Sequence, residues 1–106
     1  MEQIMDWNKG LLLVEGFEWD DGNTVKNFRK HHVSCEEAEQ IFFNRPLLLI
    51  DDAIHSTTEP RAKMFGKTNN DRPLTVSFTV RKKHIRIISA RPMNKKERRI
   101  YEKQAQ

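Results

Sequence analysis

The chain has 106 residues, 37% of them hydrophobic, with 19 Lys/Arg against 15 Asp/Glu and a single cysteine. That is enough for one domain with a buried core, too much apolar content for a disordered chain, and too few cysteines for an internal disulfide. Its apolar runs are too short to span a bilayer and its acidic start is unlike a signal peptide, so a cytoplasmic protein is expected.

Residues 1–16 read as a leader, and 17–106 as the domain. "LLLVEGFEW" (11–19) fits either one strand interrupted at Gly16 or a short extra strand before one centred on "FEW". Asp20 or Asp21 can cap a helix opening near Gly22, with Val25 and Phe28 on its inner face and Lys26, Arg29 and Lys30 outside, ending around "KHHV". Ser34 and Glu37 form an S-x-x-E capping box for a second helix, Val33 and Ala38 occupy hydrophobic-staple positions, and "NRP" stops it. "PLLLID" (46–51) reads as a short buried strand, followed by the polar loop "DAIHSTTEP".

The period then becomes two. In "RAKMFGK" (61–67), Arg61, Lys63 and Phe65 alternate with Ala62, Met64 and Gly66. "LTVSFTV" (74–80) alternates too, and "RKK" turns the chain into "HIRIISA" (84–90), too apolar for an edge strand. Asn94 and Glu97 make a second capping box, opening a helix whose only apolar residues are Ile100 and Tyr101. The order is strand, two helices, an antiparallel meander of about four strands and a last helix: an α+β domain with helices on one face of the sheet.

Charge is distributed unevenly. Residues 81–103 carry ten Lys/Arg and two Glu, while residues 1–80 carry nine Lys/Arg and thirteen Asp/Glu. Such a basic end suits an anionic partner, nucleic acid above all, or equally a solubilising surface. No close ligand spacing among the histidines and the cysteine suggests a metal, and no Gly-rich phosphate loop or dinucleotide fingerprint appears, so no cofactor is expected.

Three stretches in order, "FEWDDGNTVKNFRKHHVSCEEAEQIF", "DDAIHSTTEPRAKMFG" and "IRIISARPMNKKERRIYE", resemble the BrnT family of toxins from bacterial type II toxin–antitoxin modules, within the wider RelE/ParE-like group. The resemblance covers about residues 17–102. It implies a RelE-like fold and a metal-independent endoribonuclease that blocks translation. It also implies a cognate ribbon-helix-helix antitoxin (BrnA-like), and operator DNA met only through the antitoxin complex. Two positions depart from the family pattern. Lys30-His31-His32 stands where Lys-His-Gly is usual, so His32 must adopt a left-handed cap or shift the helix end, and Cys35 replaces an aromatic.

RNA is cut without metal when its own 2′-hydroxyl attacks the adjacent phosphate. That chemistry needs a proton acceptor, a proton donor to the leaving 5′-oxygen, and positive charge around phosphorus. RelE-like toxins hold RNA on an arginine-rich, helix-free sheet face. Alternation directs Arg61, Lys63 and Arg86 there, with Arg61 and Arg86 the leading candidates for phosphate contact because a planar guanidinium matches phosphate oxygens. Arg91 falls on the opposite parity to Arg86 at the strand end, and an ion pair to the first helix or Glu97 is as good an account of it. His31, His55 and Glu59 are candidate bases, Glu59 alternatively orienting Arg61, with a surface or structural role the favoured reading of each. Lys95, Lys96, Arg98 and Arg99 make the last helix basic, so that it could contact RNA, dock on ribosomal RNA or receive an acidic antitoxin segment. Trp19 and Phe65 could stack on bases, though Trp19 suits the core. The alternatives are a non-catalytic nucleic-acid-binding domain and a ParE-like toxin acting on a protein target.

Overall fold

The computed structural model describes residues 7–52 and 59–104. In chain order it holds helix α1 (Trp7–Leu12), strand β1 (Gly16–Trp19), helix α2 (Asp21–His31), helix α3 (Cys35–Gln40) running into a 3-10 turn (Ile41–Phe43), strands β2 (Leu48–Asp51), β3 (Ala62–Lys67), β4 (Pro73–Arg81) and β5 (His84–Pro92), and helix α4 (Lys95–Gln104). The five strands make one sheet in the order β1-β5-β4-β3-β2. β2 to β5 form an antiparallel meander, and β1 pairs in parallel with the first half of β5. This is the expected RelE-like α+β arrangement, with β5 interior as its apolar content requires. Ahead of it, Leu11 and Leu12 belong to a helix rather than to the extra strand that their apolar run allowed.

Local signals set the helix ends. Asp20 is the α2 N-cap, its carboxylate accepting from the Asn23 amide at 3.2 Å. Ser34 and Glu37 form the reciprocal capping box, with Val33 and Ala38 buried beside it. His32 takes the left-handed cap (φ 55°) that glycine would fill without strain. Lys82 and Lys83 both have positive φ in the two-residue β4–β5 turn, the backbone that matches strand twist but favours Asn-Gly.

The inner face of α2 differs from expectation. Val25 and Phe28 are about half exposed, and the buried residue is Asn27. Its amide Nδ2 donates to the Val33 carbonyl, and its Oδ1 accepts from the Ala90 amide at 2.8 Å. That amide lies beyond the end of β1, where β5 has an unpaired edge, and a buried backbone N–H must find an acceptor. A polar side chain therefore won the position that hydrophobic patterning would have given to Val25 or Phe28.

One sheet face, carrying Ala62, Met64, Val76, Phe78, Ile85 and Ile87, packs against α3 and the 3-10 turn to form the main core. Gly66 lies where a Cβ would come within 2.9 Å of the Ile41 Cβ, so the turn presses directly on the β3 backbone. The opposite face is not helix-free along its whole length. α4 crosses it near β3, and Phe65, Met93 and Tyr101 make a second small core with Leu48 and Ile50. β2 is accordingly a half-buried edge strand rather than a buried one.

Although it has little apolar surface, α4 is tied down by polar contacts. The Tyr101 hydroxyl donates to the Pro46 carbonyl at 2.7 Å. Buried Glu97 closes the second capping box with Asn94 and accepts both arms of Arg91 at 2.6 and 2.8 Å.

Candidate active site

The register assigns side chains of the second face to rows across the sheet. In one row, Glu18 on β1 pairs with Arg86 on β5, which pairs with Thr79 on β4. Extending the β3–β4 ladder by one residue places Arg61 beside Thr79, since buried Ala62 pairs with Phe78 and alternation turns Arg61 to the other face. The Thr79 hydroxyl donates to the Pro60 carbonyl at 2.6 Å and anchors the segment that presents Arg61. Arg61 and Arg86 thus lie two strands apart, about 10 Å between backbones, a span that two long side chains can close around one phosphate. The next row holds Lys63 with Ser77 and Ser89, and among the described residues Lys63 pairs with no carboxylate.

A β-bulge decides where Arg91 goes. Ser77 pairs with Ser89 but Phe78 pairs with Ile87, so Ile88 is an extra residue in β5. Arg91 stands five positions after Arg86, and strict alternation puts them on opposite faces. The bulge restores them to the same face, correcting the parity read from sequence. There Arg91 is held by Glu97, and its guanidinium is kept charged by that hydrogen-bonded pair.

The other expected residues are spread more widely. Glu59 grips Arg81, not Arg61, accepting from its Nη2 with both oxygens at 2.9 and 2.8 Å. His31, the last residue of α2, is half-buried. Burial lowers its pKa, and the Lys30 and Arg91 charges lower it further, so it belongs to the Arg91 end of the sheet. His55 lies outside the described residues. Lys95, Lys96, Arg98 and Arg99 are all exposed on α4, as a nucleic-acid contact requires. Phe65 is buried under α4 and cannot stack on a base, while Trp19 packs on the main core and donates its indole N–H to Glu39 at 3.0 Å.

Three residues of this face escaped the sequence reading: Glu18, Thr79 and Arg81. Arg86 Nη1 donates to Glu18 Oε1 at 2.7 Å, and Arg86 Nη2 lies 4.0 Å from Asp20. The Arg86 hydrogen bond holds the Glu18 carboxyl below the usual carboxylate range. Only a possible β1 strand was visible in the sequence; that it lies parallel to β5 was not.

The face is therefore a cationic surface with carboxylates interleaved, suited to a polyanionic chain. Among the described residues, no group of His, Cys, Asp or Glu is placed to hold a metal ion. None of the described helices is long and apolar enough to cross a membrane.

Comparison with protein families decides what kind of molecule this is: residues 19–97 match the model described as "Ribonuclease toxin, BrnT, of type II toxin-antitoxin system". The chain belongs to the BrnT family. As a BrnT-family ribonuclease toxin of a type II system, it has a cognate antitoxin as partner. A comparison with curated proteins gives no match. The matched span runs from Trp19, the last residue of β1, through β5 to the start of α4; it contains Arg61, Lys63, Thr79, Arg86 and Arg91, and Glu18 stands one residue before it.

Proposed function

We propose that the chain cuts RNA without a metal ion, as an endoribonuclease that uses the 2′-hydroxyl of its substrate as nucleophile, and that loss of RNA is how it inhibits translation. The observation that carries the reading is the row Arg61–Thr79–Arg86–Glu18 on the face opposite the main core. Attack on a phosphodiester places additional negative charge on the phosphoryl oxygens, and guanidinium groups fixed by a rigid sheet can meet it without reorganising. In this reading Arg61 and Arg86 contact the scissile phosphate and Lys63 adds charge from the next row. Arg91 supports that end of the site, fixed by Glu97, and Lys95, Lys96, Arg98 and Arg99 hold flanking phosphates. The requirement for positive charge at phosphorus is then met by side chains.

The cognate antitoxin, in the same reading, is a BrnA-like ribbon-helix-helix protein. It silences the toxin by covering the basic face, and operator DNA is met through the antitoxin. The site of action is cytoplasmic, where RNA and ribosomes are.

The test is cleavage of a defined RNA by purified protein in excess chelator, alongside an Arg61→Ala/Arg86→Ala variant. Expected are fragments ending in cyclic phosphate for the wild type, and their loss in a variant with an unchanged circular dichroism spectrum. RNA that stays intact with the wild type, or cleavage that stops on chelation, overturns the proposal. RNA bound but never cut would instead favour a pure binding module working through the exposed α4 cations.

A further inference from the structure

Resting on the ribonuclease reading, we infer that Glu18 is the group that takes the proton from the attacking 2′-hydroxyl. Histidines and Glu59 were the natural candidates from sequence, but geometry separates the carboxylates of this face by how their oxygens are used. Glu59 spends both oxygens on Arg81, and Glu97 spends both on Arg91. Glu18 spends only Oε1, on Arg86 Nη1, and its Oε2 has no hydrogen-bond partner among the described residues.

Arg86 shows matching free capacity. Its Nη1 is taken by Glu18 while its Nη2 stands 4.0 Å from Asp20, beyond hydrogen-bond reach. A phosphate seated on the outer edge of that guanidinium brings the neighbouring ribose against Glu18, because the 2′-oxygen is bonded to the carbon next to the one bearing the phosphate. A base must lie within about 2.6–3.2 Å of the oxygen whose proton it accepts, and a carboxylate docked on the phosphate-binding arginine is in the neighbourhood where that oxygen would lie.

The atoms balance without a co-reactant beyond water. The 2′-oxygen bonds to phosphorus as its proton passes to Glu18 Oε2, the P–O5′ bond breaks, and a water protonates the departing 5′-oxygen. The hydroxide left takes the proton back from Glu18 to restore water and the carboxylate. The products are a 2′,3′-cyclic phosphate and a 5′-hydroxyl.

Groups facing Glu18 keep it ionised. Arg86 and His84 on β5 and Arg81 on β4 all lower its pKa, against a smaller opposing effect of burial, and Asp20 is the neighbouring like charge. Glu18 therefore stays a carboxylate through neutral pH, ready to accept a proton although weakly basic.

The experiment compares wild type, Glu18→Gln and Glu18→Asp in single-turnover cleavage of an oligoribonucleotide. In parallel, binding is measured to the same oligonucleotide with deoxyribose at the cut site. The glutamine carbonyl can still accept from Arg86, so fold and phosphate binding are retained while the base is removed. Expected is a loss of at least about 100-fold in cleavage for Glu18→Gln, the usual span of a general base. Binding should be unchanged and activity partly recovered in Glu18→Asp. Cleavage by Glu18→Gln within a few-fold of wild type overturns the inference and leaves the ribonuclease reading intact. Cleavage and binding falling together overturn it as well, because Glu18 would then act by positioning Arg86. A wild type that cuts nothing overturns the ribonuclease reading, and this inference with it.

Discussion

Glu97 holds the basic helix to the sheet, and replacing it with glutamine tests how. The residue is 8% exposed and ties Arg91 by two charge-assisted hydrogen bonds while capping α4 at the Asn94 amide. Glu97→Gln keeps an acceptor for the cap but turns an amide toward Arg91 and leaves that guanidinium, a third exposed, without its countercharge. Losing one partner of a fully buried pair costs about 3–5 kcal/mol, and partial solvation of Arg91 reduces this to roughly 1–3 kcal/mol. For a domain of this size that lowers Tm by roughly 4–13 °C.

The sign of the pH dependence follows from the carboxyl. Burial pushes its pKa up, but the Arg91 fork, the Asn94 amide and the Arg91 charge together outweigh it, and the net direction is down. A carboxyl lowered by folding contributes stability above its unfolded pKa and loses it as pH falls through the folded value. The Tm gap between wild type and Glu97→Gln should be widest at neutral pH and close as the solution is acidified below the ordinary carboxylate range. Thermal melts followed by circular dichroism across pH measure it. A gap of the same size at neutral and strongly acidic pH, or none at neutral pH, would refute the reasoning.

Three further outcomes are expected. Gly66→Ala should destabilise by about 1–3 kcal/mol in urea titrations, because its Cβ would stand 2.9 Å from the Ile41 Cβ and 3.0 Å from a Leu47 methyl. His32→Gly should raise stability by about 1 kcal/mol, by relieving the left-handed cap at φ 55°, less what the edge contact between the His32 and Phe28 rings contributes. Changing Lys95, Lys96, Arg98 and Arg99 together to glutamine should leave Tm near the wild-type value, since all four are exposed, while the dependence of RNA affinity on salt becomes shallower.

What could be read from the chain alone was what short stretches decide for themselves. The capping boxes at Ser34/Glu37 and Asn94/Glu97, the left-handed demand at His32, the Lys82-Lys83 turn and the alternation of β3 and β4 all arise between residues a few positions apart. Their sequence therefore carries their conformation. The three family-like stretches were equally visible, and with them the toxin class. The site was legible only in part. Arg61 and Arg86 could be assigned to one face by counting, because no irregularity intervenes between each and its strand partners.

Everything that required knowing which distant strand lies alongside which was decided by tertiary structure. The extra residue at Ile88 reverses the parity of Arg91, Glu18 reaches Arg86 only because β1 lies parallel to β5, and Arg81 takes Glu59 away from Arg61. Asn27 is buried because the edge of β5 left an amide in need of an acceptor, and α4 covers Phe65 because Tyr101 and Glu97 anchor it across the sheet. Ion pairs and register join residues far apart in sequence, and their energies depend on geometry that no local pattern encodes.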